Sequence, residues 1–285
     1  MATQSPALEK LFDAWTQKHK ENLSQEAPYF MTAEPPYGNF VRDGIINMDM
    51  WRKQKVRICF ILNEAGGYED TEAYPNGHDL TAEWNEKGSF TKFMFKLAVW
   101  TRAINDAFVA PVTYSKKQVV KTKDDLIRSI AIVNLKKSDG HKYQNYDLVN
   151  KFAMADAEEI RAELDLLKAN IIICCGNFYS IYGRRPGEVA NPGNAEGAET
   201  IESAPNLFAA PAPAPEPDPN EKRQRAFYFG ELTPICKFTY AWDKRLIFNL
   251  WSPMQFNNPF TSNTINYYSV RGIVRSGLKA FGQRK

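Results

Sequence analysis

Residues 55–70 read KVRICFILNEAGGYED, and this stretch decides the fold. Residues 56–62 form an apolar run of strand length, rich in Ile, Val and Phe, with almost no polar alternation. That pattern predicts a central strand covered on both faces, as in a parallel sheet. The run passes straight into Asn63-Glu64-Ala65-Gly66-Gly67. A carboxylate follows the last apolar residue, and the glycine pair lets the backbone turn or approach a ligand closely. In open α/β sheets ligands bind outside the carboxyl ends of the strands, so Glu64 is a candidate for chemistry.

The chain around it is long enough for one large α/β domain or two small ones. It has 285 residues, 44% of them hydrophobic and 13% aromatic, which supply a full core. No apolar stretch is long enough to span a bilayer, and the first residues, MATQSPALEKLFDAW, lack the basic-then-apolar layout of a signal peptide. Cys59, Cys174, Cys175 and Cys236 include no C-x-x-C pair. The expectation is therefore no zinc site, no disulfide framework and a reducing, cytoplasmic setting. The three histidines show no metal spacing, so no metal is expected. The net charge of +3 conceals an asymmetry: residues 187–221 hold seven acids and no Lys or Arg, and setting them aside leaves the remainder at +10. A body that basic suits a polyanionic partner, although a solvated lysine-rich surface has the same composition.

Elements alternate along the chain. A helix is expected over residues 5–20, capped by Ser5, with Pro6 at its first position and Leu8, Leu11, Phe12, Trp15 and His19 on one face. His19 reads as a packed residue at the edge of the core. Residues 26–50 read as a long ordered loop over the sheet, and residues 63–87 as strand end plus polar loop. A second helix is expected from Ser89, with Phe90, Phe93, Met94, Leu97, Ile104 and Phe108 inward. Residues 109–126 are basic and carry no strong period. Strand runs appear at 127–135, 170–175, 227–229, 235–240 and 245–250, and helices at 147–168 and 262–281. The stretch 187–221, with its APAPAPEPDP run, reads as an extended, mobile insertion. Strands alternating with helices predict a single three-layer α/β/α domain around a mainly parallel sheet.

Common nucleotide and hydrolase signatures are missing: there is no G-x-G-x-x-G, Walker A or G-x-S-x-G sequence. What remains is a set of strand-end segments in chain order, NEAGGYED, VNLKKSDG, CCGNF and WSPMQF. Their order and character resemble the uracil-DNA glycosylase superfamily, most of all its iron–sulfur, thermophilic-type branch, over roughly residues 55–281. That branch has G-E-x-P-G-x-x-E-D where this chain has residues 63–70, and G-x-L-L where it has Gly88-Ser89-Phe90. Its T-N-x-x-K strand end is similar to Val133-Asn134-Leu135-Lys136-Lys137. Its P-x-x-I-I-x-x-G strand is similar to residues 168–176, and its H-P-S to Trp251-Ser252-Pro253. The departures are specific. The cluster-binding cysteines are absent, so no iron–sulfur cluster or other cofactor is implied. Asn63 stands for Gly, Gly66 for Pro, and Trp251 for the His that in the family steadies the oxygen of the departing base.

The resemblance implies a DNA partner, a flipped base and metal-free hydrolysis of an N-glycosidic bond. Breaking that bond builds positive charge on the sugar and negative charge on the base. A carboxylate near the sugar can steady the cation and orient a water, and fixed donors can steady the anion. Glu64 fits the first task, with Glu69 or Asp70 as substitutes. Ser252 or the Trp251 indole N–H fits the second. Asn134 can read the edge of an everted base, and Tyr68, Trp84 or Phe90 can stack on it. Met254 or Phe256 can wedge into the vacated stack, and Lys136 and Lys137 can meet phosphates. Each has a structural alternative: a turn cap for Glu64, local backbone satisfaction for Asn134, packing for the aromatics and Met254, and solvated charge for the lysines. Two functions follow, a glycosylase or a non-catalytic base-, nucleotide- or DNA-binding relative. A third is an unrelated α/β protein whose partner grips the acidic insertion.

Overall fold

The computed structural model describes residues 4–24, 40–65, 78–88, 91–109, 111–139, 146–176, 227–228, 236–242, 245–250 and 263–280. Its centre is β3 (Ile58–Ala65), a strand buried on both sides. It pairs in parallel with β5 (Ala131–Asp139) on one flank and with β6 (Ile171–Cys175) on the other. β9 (Arg245–Leu250) continues the parallel set beyond β6. Short antiparallel strands finish both edges: β2 (Gly44–Ile45) beside β5, and β8 (Cys236–Trp242) with β7 (Phe227–Tyr228) beyond β9. The sheet order is β2-β5-β3-β6-β9-β8-β7. A separate parallel pair joins β1 (Val41–Arg42) to β4 (His78–Asp79).

Side-chain alternation splits the core in two. Ile58, Phe60 and Leu62 point to one face, where they meet α3 (Leu80–Lys87), α4 (Lys92–Ala107), α5 (Lys116–Arg128) and α8 (Asn263–Ala280). Cys59 and Ile61 point to the other, against α1 (Pro6–Ser24), α6 (Tyr146–Ala155) and α7 (Ala157–Leu167). Helices on both faces explain why β3 tolerates no polar residue before Asn63. The described residues thus form an α/β fold with a mainly parallel central sheet. Among them no helix is long and apolar enough to cross a membrane.

The parallel strands occur in space as second, first, third, fourth in chain order. In this order the topological switch point lies between β3 and β6, and open α/β sheets bind ligands outside the carboxyl ends of their strands.

Several boundaries differ from the periodicity reading, each for a local reason. β3 runs on through Asn63, Glu64 and Ala65, because ladder pairing with β5 continues past the apolar run. The expected loop over 26–50 contains β1, β2 and α2 (Met48–Lys53) within its described part. Asn47 caps α2 through a bond from Met50 N. The polar segment 78–87 contains β4 and α3, with Asp79 as N-cap, accepting from Ala82 N at 2.8 Å. Gly88 ends α3 at φ +66°, and a Cβ there would lie 2.7 Å from Asp124 Oδ1. α4 starts at Lys92 behind its cap Thr91, and Phe108, expected inward, is exposed just past its end. Residues 127–128 close α5 rather than open a strand, so β5 begins at Ala131. The helix expected over 147–168 is two helices, broken at the buried Asp156. His19 is packed at the core edge as expected, 2.8 Å from Asp156 Oδ2.

Phe60 is fully buried on the central strand, its ring 6.5 Å from that of Trp100. Phe60→Ala should lower the unfolding free energy by about 3–5 kcal/mol, read from the urea midpoint at unchanged m-value.

Candidate functional site

The extension of β3 brings polar groups together at the carboxyl edge. Glu64 sits opposite Lys136 of β5, and Leu62 opposite Asn134. Paired residues of neighbouring strands point to the same face, and side chains repeat every second residue. Glu64, Lys136 and Asn134 therefore share one face, with Glu64 and Asn134 roughly 8 Å apart at Cα by strand geometry. Lys136 Nζ lies 3.1 Å from Glu64 Oε2, and the two side chains are only 2% and 8% exposed. The Lys136 ammonium also stands 5.7 Å from the centre of the Phe152 ring.

Beside this pair lies a fully buried ionic cluster. Lys137 donates to Asp43 Oδ1, and its Nζ is 2.6 Å from Glu163 Oε2 of α7. Trp15 supplies an aromatic face 5.0 Å from the same ammonium. Burial pulls the Lys137 pKa down, but the two carboxylates outweigh it and leave it above its ordinary value. Burial first, and then the negative charge of Asp43, push Glu163 well above the usual carboxylate range, against the opposing pull of Lys137. Two carboxylates around one ammonium leave an excess negative charge, and a proton held by Glu163 removes it. Asp43 also replaces a missing ladder partner: its Oδ2 accepts from Asn134 N at 2.6 Å and from Asn134 Nδ2 at 2.9 Å.

That contact orients the Asn134 amide. A carboxylate only accepts, so Nδ2 faces Asp43 and Oδ1 faces away. Oδ1 is buried without a hydrogen-bond partner among the described residues, as are Asn63 Oδ1 and Ser138 Oγ. Asn63 is 7% exposed, Asn134 0% and Ser138 2%. Three polar atoms unmatched among the described residues thus lie on two adjacent strands, where each costs about 1–3 kcal/mol if left unpaired. Two are amide oxygens, which accept from N–H or O–H groups.

Burial bears on three of the expected residues. Lys137 is enclosed with Asp43 and Glu163, and Lys136 is turned onto Glu64, so neither is a phosphate contact. Both belong to β5 itself rather than to a loop after it. Trp84 is buried at 6% exposure, packed within the cluster that includes Phe60. Tyr68, Glu69, Asp70, Phe90, Trp251, Ser252, Met254 and Phe256 lie outside the described residues.

Asp43 and Glu163 escaped the sequence reading, though each left a signal. Asp43 interrupts an apolar run between Val41 and Ile45-Ile46. Glu163 falls on the inward stripe Ile160, Leu164 and Leu167, where a charge needs a partner. Burial pushes the thiols of Cys59, Cys174 and Cys175 upward, which removes them as nucleophiles. Among the described residues no group of three or more His, Cys, Asp or Glu could hold a metal ion. No family model matches the chain, and neither a curated protein nor a solved structure matches it.

Two outcomes test the buried cluster. Asp43→Ala strands Lys137 and frees the Asn134 amide, and should cost about 3–5 kcal/mol in denaturant unfolding. Glu163 keeps its proton in the folded state above the ordinary value of 4.5. Its favourable contribution is therefore complete below that pH and is lost as pH rises toward the folded value. The stability of Glu163→Gln relative to wild type should climb with pH from about 4.5 upward. A flat difference would contradict a proton held by Glu163.

Proposed function

We propose that the carboxyl edge of the sheet binds a nucleobase and that the chain is a uracil-DNA glycosylase-like hydrolase of N-glycosidic bonds. The observation that carries this reading is the placement of Glu64 and the Asn134 amide oxygen, unmatched among the described residues, on one face of the adjacent strands β3 and β5. A base such as uracil or hypoxanthine offers a ring N–H to that acceptor. The sugar attached to it would then stand toward the carboxylate, which steadies the developing cation and orients a water. The mainly parallel sheet with helices on both faces supports the three-layer arrangement of that superfamily. The buried thiols accord with a reducing, cytoplasmic setting.

A second reading is favoured by one feature. Glu64 is already paired with Lys136, and a carboxylate held that way suits a site that binds a base or nucleotide without cleaving it. Oligonucleotides carrying uracil or hypoxanthine, single- and double-stranded, separate the two. The hydrolase should leave alkali-labile abasic sites, and Glu64→Gln should slow their formation by about a hundredfold or more. Saturable binding of the altered strand with no abasic product would instead establish the non-catalytic relative. Product formation unaffected by Glu64→Gln would remove Glu64 from the mechanism.

A further inference from the structure

On the face away from the buried charges, four segments converge at one corner: the end of α4, the connector 111–115, the start of α5 and the start of α8. α5 packs on the sheet through Val119 and Ile127 and ends two residues before β5 begins. Its start therefore points back toward the carboxyl ends of the strands, the edge that holds Glu64. The corner is pinned by hydrogen bonds. Tyr267 OH donates to Asp106 Oδ2 at 2.7 Å, Arg271 Nε donates to Asp106 O at 3.0 Å, and Tyr114 N donates to Tyr268 OH at 3.1 Å.

Two features of this corner cost free energy without contributing to the core. Among the described residues only five large hydrophobic side chains are exposed, and three of them are here: Phe108 at 41%, Val109 at 53% and Tyr268 at 44%. A fourth, Val120, is 46% exposed on α5 beside Lys116, Lys117 and Lys121. Those lysines are exposed and make no ion pair with the described residues. Their positions place them on one side of the helix. Lys116 and Lys117 occupy its first turn, which has no acid, so they repel the positive end of the helix dipole.

We propose that this corner is a binding surface for single-stranded nucleic acid, with Lys116, Lys117 and Lys121 on phosphates and the Phe108 and Tyr268 rings stacked on bases. The surface goes beyond the hydrolase reading and does not require it. Charge selects a polyanion: the chain outside residues 187–221 is +10, and the three lysines make no ion pair with the described residues. The rings select a polyanion with flat apolar faces. Tyr268 is braced by the Tyr114 amide and sits edge-on to Tyr267, centroids 5.1 Å apart at 83°. A braced ring with an open face suits stacking, whereas insertion into a lipid surface needs free apolar tips.

The test is fluorescence anisotropy of an end-labelled oligothymidine, which carries no altered base and reports no cleavage, with the full chain at several salt concentrations. Oligothymidine binding needs no hydrolysis, so failure of the hydrolase reading leaves this result intact. The triple change Lys116→Gln, Lys117→Gln, Lys121→Gln should weaken binding and flatten the plot of log affinity against log salt by about two. Phe108→Ala and Tyr268→Leu should each weaken binding roughly fivefold or more. All five side chains are exposed, and unchanged circular dichroism and thermal midpoints confirm folding. The proposal is overturned if wild type does not bind, or if the lysine variant keeps the wild-type salt slope. It is also overturned if the ring variants bind like wild type, which would leave a mere polyanion patch, or if phosphatidylserine vesicles bind through these lysines and the oligonucleotide does not.

Discussion

Parallel pairing of β3 with β5 carries the ladder three residues past the apolar run, and the placement of polar groups at the carboxyl edge depends on that register. Leu62 faces Asn134 and Glu64 faces Lys136. In a strand, a slip of one residue would move Glu64 to the opposite face from Asn134. Apolar packing holds the register: Ile58 and Phe60 belong to one helical layer, Cys59 and Ile61 to the other. A slip would exchange residues between two cores built for different shapes. The polar end of the strand is thus positioned by the apolar part before it.

The second constraint is electrostatic. Asp43, Lys137 and Glu163 are entirely enclosed, and desolvating them is expensive enough that the cluster is poor evidence for net stability. What it does is specify geometry. Asp43 lies between β1 and β2, Lys137 on β5 and Glu163 on α7, so one cluster ties the sheet edge to the helical layer beneath it. The same carboxylate holds the Asn134 amide in one orientation and leaves its oxygen as an acceptor. A charge cluster without solvent access thereby shapes the hydrogen-bonding character of the edge next to it.

Much of this was legible in the sequence, and the failures share a cause. The buried strands at 58–62 and 171–175 and the stripe Tyr267, Val270, Val274 are plain because apolar period alone defines them. Helix α5 was missed because Val119 and Ile127 are its only fully buried residues, among four lysines. Helix α3 was missed although Asp79 and Gly88 mark its ends, because a polar loop and an eight-residue helix look alike by period. Lys136 and Lys137 were misassigned for a deeper reason: a charge beside an apolar run reads as solvated unless its partner is known. Here the partners are 72 and 94 residues away, Glu64 and Asp43. Long-range pairing of that kind leaves no local trace.

The central claim is that Glu64 and Asn134 face one ligand. Its most direct measurement is an amide-resonance titration of isotope-labelled protein with free uracil and, separately, hypoxanthine. The account predicts saturable shifts that appear together at residues 63–65 and 134–136, with the same dissociation constant at both strand ends. Resonances at those positions that stay fixed while the ligand is in excess, or shifts at one strand without the other, would contradict it.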